Sequence, residues 1–136
     1  MSRERFLVDT VFLQALVNTH DSYHQQARAF APRLARAAEV WVTEAVLVEV
    51  GDALSAINRL AAVQIIEQSY HTHNVHVAPM STYLLDEAVA LYQSRSDKDW
   101  GLTDCISFVV MRQQGLTDAV TNDKHFAQAG FNRLFI

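Results

Sequence analysis

The 136-residue chain has few of the residues that cross-link or interrupt a fold: one cysteine, two prolines and four glycines. A single cysteine, Cys105, excludes an intramolecular disulfide and fits a reducing compartment. The scarcity of proline and glycine, without repeats or low-complexity segments, argues against linkers. We therefore expect a single domain over residues 1–136, long enough to bury about two-thirds of its unfolded surface.

Long hydrophobic runs are also missing. No apolar stretch approaches the roughly 18 residues that a membrane-spanning helix needs. The N-terminus, MSRERFLVDT, has only a three-residue apolar run before Asp9, which does not fit a signal peptide. Half of the residues are hydrophobic and 19% are charged, as in ordinary folded proteins. These features predict a cytoplasmic globular protein.

The chain lacks an excess of positive charge. Its formal net charge is −4, from fifteen acidic residues and eleven Lys and Arg residues. This balance gives no support for a generally basic surface that binds nucleic acid. It does not exclude a local one, because four acids held in a metal site would leave eleven acids against eleven basic residues elsewhere.

What the chain does contain is an alternation of short apolar strands with longer helical patterns. Strands are predicted at 5–8, 40–42, 75–77, 118–121 and 134–136. Helices are predicted at 10–18, 23–37 (after a start at 20–22), 44–57, 59–71, 81–94, 102–114 and 123–129, with a polar loop at 95–100 and a stop at Gly115. This alternation favours an α/β fold with a central, mostly parallel sheet flanked by helices. Ligand sites in such sheets gather at the carboxyl ends of the strands.

Four acidic residues lie at chemically useful places in this pattern. Asp9 ends the first strand, Asp123 follows the fourth, Asp104 opens an apolar helix, and Glu49 lies within the apolar stretch 45–50. Acids placed beside a core are costly unless they are paired or bound to a cation. Four of them from separate segments predict one pocket that holds a divalent metal ion.

Each acid also has a simpler structural interpretation. Asp9 and Asp123 are both placed to cap the helix that follows. Asp104 comes directly after Thr103, a candidate N-cap, and would complement the helix dipole there. Glu49 is harder to explain in this way, because it borders the apolar stripe of its helix instead of facing away from it. The set of four is therefore more informative than any one member.

The segments around these acids match a known pattern. They are residues 6–10 (FLVDT), residues 43–49, residues 100–108 (WGLTDCISF), and residues 121–126 (TNDKHF) followed by 129–131 (AGF). In order and spacing of the acids, the chain resembles the PIN domain over essentially its whole length. That family is a metal-dependent ribonuclease fold that includes the VapC-type toxins of bacterial toxin–antitoxin pairs.

The resemblance implies a PIN-like three-layer α/β fold and an endoribonuclease that hydrolyses RNA phosphodiester bonds. It implies that Asp9, Glu49, Asp104 and Asp123 are both the catalytic residues and the ligands of Mg²⁺ or Mn²⁺, with Asp9 and Asp104 the most essential. Carboxylate oxygens suit Mg²⁺, which prefers an octahedral oxygen shell and keeps several waters. The resemblance further implies RNA as substrate, a small antitoxin protein as partner and a homodimer.

Neighbouring polar residues have open roles. The Thr10 hydroxyl could bind a ligand carboxylate or a phosphate, or cap the helix, and Ser107 shares the helical face of Asp104 but is better explained by packing. Asp52 is a candidate for supporting the site. Asp97 and Asp99 are interpreted as solvated loop acids, with Asp99 within reach of the pocket rim.

Other basic and potentially metal-binding side chains lie outside the four acids. The candidates for phosphate contacts are Arg95, Lys98 and Lys124. The histidines at 71, 73 and 76 straddle a helix end and a strand without any nearby cysteine, which argues against a zinc site. Cys105 is interpreted as an inert core thiol.

Two other functions are alternatives to the nuclease. The first is a PIN-fold RNA-binding or RNA-processing protein with a weak toxin role or none. A binding or scaffold protein with little catalysis would be favoured by the loss of two of the four acids, and none is lost. A phosphoryl-transfer domain of the receiver or haloacid-dehalogenase type is the other alternative. A dehalogenase-like enzyme would need a second acid near the first strand, and 9–11 (DTV) lacks it. The metal-dependent ribonuclease is the leading hypothesis.

Overall fold

The computed structural model describes residues 2–135 and contains the predicted alternation of strands and helices. The strands are β1 (Arg5–Val8), β2 (Glu39–Thr43), β3 (Val75–Ala78), β4 (Asp118–Val120) and β5 (Asn132–Arg133). The helices are α1 (Thr10–Val17), α2 (His24–Ala35), α3 (Glu44–Leu54), α4 (Arg59–His71), α5 (Thr82–Ser94), α6 (Leu102–Gln114) and α7 (Lys124–Gln128).

The strands form one sheet in the order β3-β2-β1-β4-β5, and all four neighbouring pairs are parallel. Strands β2 and β3 lie on one side of β1, and β4 and β5 lie on the other side. Leu7 pairs with Ala119 and Val8 with Val120, so β1 and β4 end side by side. This pairing confirms the predicted parallel sheet, and it creates a switch point of the kind at which α/β proteins bind ligands.

Alternation along the strands divides the core into two layers. Phe6 and Val8 point to the face covered by α1 to α4, whereas Leu7 points to the face covered by α5 to α7. Successive side chains of a strand must face opposite sides, so a strand that is apolar throughout needs helices on both. The three-layer α/β/α architecture is therefore the predicted one.

Several predicted boundaries were wrong. The last strand is Asn132–Arg133 instead of 134–136. The Leu134 amide still donates to the Ala119 carbonyl, but the next donor is the Phe135 amide, to Thr121, which breaks the two-residue alternation of a parallel ladder. Residue 136 lies outside the described residues. The second helix begins at His24, since the Asp21 carboxylate accepts a hydrogen bond from the Tyr23 amide and closes a turn before it. Among residues 2–135, no helix is both long and apolar enough to cross a membrane.

Candidate metal centre

Asp9 lies directly after β1, and its carboxyl group is buried at the carboxyl end of the sheet. The residue is 4% exposed, and its Oδ2 accepts a hydrogen bond of 2.9 Å from the hydroxyl of Thr121. Although Asp9 occupies the N-cap position of α1, its side chain makes no capping hydrogen bond. The capping interpretation of Asp9 is therefore wrong, and the buried carboxyl group needs another explanation.

Burial changes the acidity of Asp9. Removal from water raises the pKa of its carboxyl group from 3.8 to about 7, and the charges of Asp104 and Asp123 add to this increase. Hydrogen bonds from the Thr10 amide and the Thr121 hydroxyl lower the pKa but do not offset the burial. A carboxyl group that is costly to ionise in isolation becomes favourable to ionise when a cation binds beside it.

Asp104 and Asp123 approach the same region from α6 and α7. Gly101, not Thr103, is the N-cap of α6, and Asp104 Oδ2 accepts a hydrogen bond of 3.1 Å from the Gly101 amide. Asp123 caps α7, with its Oδ1 accepting a hydrogen bond of 2.9 Å from the His125 amide. Burial also raises the pKa of Asp104. For these two acids, the capping role and a place in the pocket coexist.

Two residues that the sequence interpretation did not select connect these acids. Besides binding Asp9, the Thr121 hydroxyl accepts a hydrogen bond of 3.0 Å from the amide of Asp123. His125 Nδ1 lies 3.0 Å from Asp104 Oδ2 and 3.4 Å from Asp123 Oδ1. Candidate ligand atoms of Asp104, Asp123 and His125 all lie within 4.8 Å of one another. The only sequence signal was that both residues fall inside the segment 121–126 that carries the family resemblance.

Glu49 is placed differently from the three aspartates. It is exposed on α3, and in residues 2–135 no hydrogen bond or ion pair joins it to them. The side of α3 at Gly51 faces Ile66 of α4. Glu49 lies two residues earlier, a rotation of roughly 200° around the helix, so its side chain faces away from α4. The participation of Glu49 in the site stays a prediction.

Two buried hydroxyl groups next to the acids lack partners. Thr10 Oγ1 and Ser107 Oγ have no hydrogen bond from any described residue, although both side chains are almost fully buried. Buried polar atoms are normally satisfied, so each of these hydroxyls calls for water or a bound group. A site of three carboxylates with two hydroxyls nearby fits a hard, hydrated cation such as Mg²⁺ or Mn²⁺.

The basic side chains predicted to contact phosphate are partly engaged with other groups. The guanidinium of Arg95 binds both carboxylate oxygens of Asp97, at 3.0 and 3.1 Å, and lies 4.9 Å above the ring of Trp100. Lys98 lies 3.9 Å from Asp97, whereas Lys124 is exposed at the start of α7. Asp97 is therefore a partner of these cations as well as a solvated acid. Arg95, Lys98 and Trp100 border a surface groove of about 680 Å³.

The remaining histidines and the cysteine have the following surroundings. In the described part of the chain, no cluster of potential metal ligands forms around His71, His73 or His76, and His76 instead stacks on Trp41 at 4.9 Å. Cys105 is buried, as predicted for a core thiol, and burial raises the pKa of its thiol.

Comparisons with known proteins agree with the fold. The family model described as the PIN domain matches residues 6–132. VapC20 of Mycobacterium tuberculosis, a sarcin-ricin-loop-cleaving toxin, has 24% sequence identity and a TM-score of 0.85, with 96% of this chain and 99% of VapC20 covered. VapBC2 from Rickettsia felis, bound to promoter DNA, has 13% identity and a TM-score of 0.64, with 96% and 98% covered. FitAcB from Neisseria gonorrhoeae has 11% identity and a TM-score of 0.62, with 96% of each chain covered. No curated protein sequence matches the chain.

Proposed function

The chain belongs to the PIN domain family, and from that premise we propose that it is a divalent-metal-dependent endoribonuclease acting as the toxin of a toxin–antitoxin pair. The observation that carries the proposal is the convergence of Asp9, Asp104 and Asp123 at the adjoining ends of β1 and β4. The charges of Asp104 and Asp123 help to raise the pKa of the buried Asp9 carboxyl group, so the cluster is costly without a cation and suited to bind one. An RNA substrate would place the activity in the cytoplasm.

Asp9, Asp104 and Asp123 would hold the ion, and Glu49 is proposed to complete the set from the exposed side of α3. When bound, Mg²⁺ or Mn²⁺ would activate water for attack on the phosphodiester and stabilise negative charge on the departing oxygen. The protein's own contribution is orientation. Thr121 holds Oδ2 of Asp9, and the Gly101 amide holds Oδ2 of Asp104, so neither carboxylate rotates freely.

The substrate class follows from the basic side chains and from the related toxin. The groove beside Trp100 carries Arg95 and Lys98, and Lys124 adds an exposed positive charge near the acids. Cations of this kind hold phosphates around a reactive centre without reading sequence. VapC20 is described as cleaving the sarcin-ricin loop, and we propose a structured RNA loop as the substrate of this chain as well.

Cleavage of a labelled sarcin-ricin-loop hairpin and of an unstructured RNA, in Mg²⁺, Mn²⁺ or EDTA, tests the proposal. We expect cutting with metal and none in EDTA. Asp104→Asn should reduce the rate roughly 100-fold or more, as does the loss of a group that stabilises transition-state charge. Glu67→Gln, which neutralises an exposed acid of α4, is the control and should cleave normally. Equal cleavage by Asp104→Asn and wild type would contradict the assigned site.

An antitoxin is proposed as the protein partner. A short tail carrying Arg or Lys would enter the acidic pocket, replace the charge of the metal and so block hydrolysis. An apolar cavity of about 260 Å³ lies between α1, α2 and α4 and is lined in part by Phe12, Leu16, Leu34 and Ile65. An apolar side chain of the partner would fit this cavity in a helix-in-groove arrangement.

Co-expression with the neighbouring small gene tests this part of the proposal. We expect the wild-type chain to arrest bacterial growth when expressed alone, and a small partner to relieve the arrest and co-purify with it. Growth unaffected by the wild-type chain, with no co-purifying partner, would favour a housekeeping RNA-processing nuclease. The homodimer implied by the family would appear as twice the chain mass in sedimentation.

A further inference from the structure

We infer that His125 is a positioning residue of the metal centre, which holds the carboxylates of Asp104 and Asp123 in the orientation that the cation needs. This inference rests on the proposed function, because it assigns a role within the same site. His125 is not one of the four acids of the family pattern.

The contacts of His125 join two different helices at the site. Its backbone amide donates a hydrogen bond of 2.9 Å to Asp123 Oδ1, and its ring Nδ1 lies 3.0 Å from Asp104 Oδ2. Asp104 belongs to α6 and Asp123 precedes α7, so one residue sets the separation of two carboxylates that are 19 positions apart in the chain. The distance from Nδ1 to Asp123 Oδ1 is 3.4 Å.

The next residue anchors His125 in place. Phe126 is fully buried, and its ring meets that of Phe108 from α6 edge-on at 4.9 Å. A five-residue helix such as α7 is too short to be stable alone, so these contacts define where it lies. The His125 side chain is only 18% exposed. Its imidazole is therefore directed by the fold and not by chance surface pairing.

The direction of the hydrogen bond follows from the chemistry of a metal-binding carboxylate. A carboxylate that binds a cation carries no proton, so the hydrogen between the two groups must come from Nδ1. Asp104 Oδ2 then accepts two hydrogen bonds, from His125 Nδ1 and from the Gly101 amide. Among the described residues, no donor is hydrogen-bonded to Asp104 Oδ1, which leaves that oxygen for the cation.

Asp123 shows the same division of its two oxygens. Oδ1 accepts the hydrogen bond of the His125 amide, and no described residue donates to Oδ2. Partners that orient ligand side chains in this way typically contribute about 10- to 100-fold to metal affinity or activity. The predicted consequence of losing the His125 ring is therefore a weaker metal site in a protein that still folds.

Mn²⁺ binding, measured by titration calorimetry on the full chain, tests the inference with matched substitutions. His125→Asn places an amide N–H close to the position of Nδ1, whereas His125→Ala removes the donor and His125→Gln moves it one bond further out. We expect Mn²⁺ affinity to fall about 10- to 100-fold in His125→Ala and His125→Gln, and to stay near the wild-type value in His125→Asn. The control is His73→Ala, an exposed histidine just before the amino end of β3, which should change nothing.

The outcomes separate the inference from the function on which it rests. Wild-type affinity in His125→Ala and His125→Gln would overturn the positioning role. Nitrogen-14 coupling to bound Mn²⁺ in electron paramagnetic resonance, absent in His125→Asn, would overturn it in favour of direct ligation. If His125→Ala fails to fold, the comparison of His125→Asn with His125→Gln decides, and equal loss in both contradicts the inference. Absence of any Mn²⁺ binding by the wild type would instead overturn the proposed function, and the inference with it.

Discussion

Asp9 shows at the scale of one residue how a functional group is held at the expense of stability. Its carboxyl group is almost entirely removed from water, and the hydrogen bonds from Thr10 and Thr121 do not restore its normal acidity. The residue therefore lowers the stability of the metal-free protein in the pH range where the proposed enzyme works.

The metal-free protein should become less stable as pH rises toward neutrality. The pKa of Asp9 is about 7 in the folded protein and 3.8 for an unperturbed aspartate, the value expected in the unfolded chain. Between these two pH values the folded state therefore keeps a proton on Asp9 that the unfolded state has lost. Stability falls with pH wherever the folded state binds more protons, and the loss is complete above pH 7, amounting to at most about 4 kcal/mol.

The substitution Asp9→Asn should remove this pH dependence. In EDTA, urea denaturation should show Asp9→Asn more stable than wild type at pH 8, with a much smaller difference near pH 4. Asp99→Asn changes an exposed acid and should follow the wild-type curve. An Asp9→Asn curve parallel to the wild-type curve from pH 4 to pH 8 would show that Asp9 is not the titrating group.

Glu49 is the residue whose role the geometry leaves to experiment. It is exposed and makes no hydrogen bond or ion pair with the three aspartates in residues 2–135. Glu49→Gln should therefore leave the free energy of unfolding within about 0.5 kcal/mol of wild type. If Glu49 completes the metal shell, RNA cleavage should fall at least about tenfold. Unchanged cleavage would remove Glu49 from the site.

Helix α7 shows how a short element can place a functional group. Its five residues cannot form a stable helix in isolation. The Asp123 cap at one end and the Phe126 side chain in the core hold it against α6. Trp100 adds a further tie, donating a hydrogen bond of 2.9 Å from Nε1 to Gln128 Oε1. The position of His125 therefore depends on packing outside the pocket.

Phe126→Ala should destabilise the protein by about 3–5 kcal/mol, because it removes a fully buried ring and leaves a cavity. Since the same ring locates α7, Mn²⁺ affinity should also fall under conditions in which the variant is still folded. Urea denaturation measures the loss of stability, and titration calorimetry on the folded protein measures the Mn²⁺ affinity. Phe131→Ala is the comparison, because Phe131 also contacts Phe108 but lies after α7. Loss of stability with unchanged Mn²⁺ affinity would separate α7 packing from the site.

For the whole molecule, sheet order determines where the acids meet. Because β4 returns to lie beside β1, the ends of two strands more than 100 residues apart adjoin, and Thr121 reaches Asp9. The helical layers on both faces then supply Asp104 from one side and the start of α1 from the other. The candidate metal centre therefore draws on residues from both ends of the chain.

Divalent metal should stabilise the entire domain. A ligand that binds only the folded state adds about 2.7 kcal/mol at 100 times its dissociation constant. We expect Mn²⁺ to raise the melting temperature of the wild type and to raise that of Asp104→Asn much less. Matching the ionic strength of all samples with NaCl controls for nonspecific effects of salt. Equal increases in wild type and Asp104→Asn would place the bound metal elsewhere.

The amino-acid sequence by itself determined the element order, the parallel α/β architecture and the acids of interest. Apolar periodicity reports which face of a segment is buried, and that local signal located β1, α4 and α6 correctly. It was weaker at the chain end, where the strand predicted at 134–136 is Asn132–Arg133, because the regular hydrogen-bond alternation with β4 breaks at Phe135.

Only the tertiary structure decided how the acids are held. The contacts of Thr121 with Asp9 and of His125 with Asp104 join residues 112 and 21 positions apart, and they exist because β4 lies beside β1 and α7 against α6. Local patterns carry no information about such meetings, because strand order and helix docking arise from burial summed over the whole core. The same long-range packing buries Asp9 while leaving Glu49 exposed, although both residues border apolar runs in the sequence.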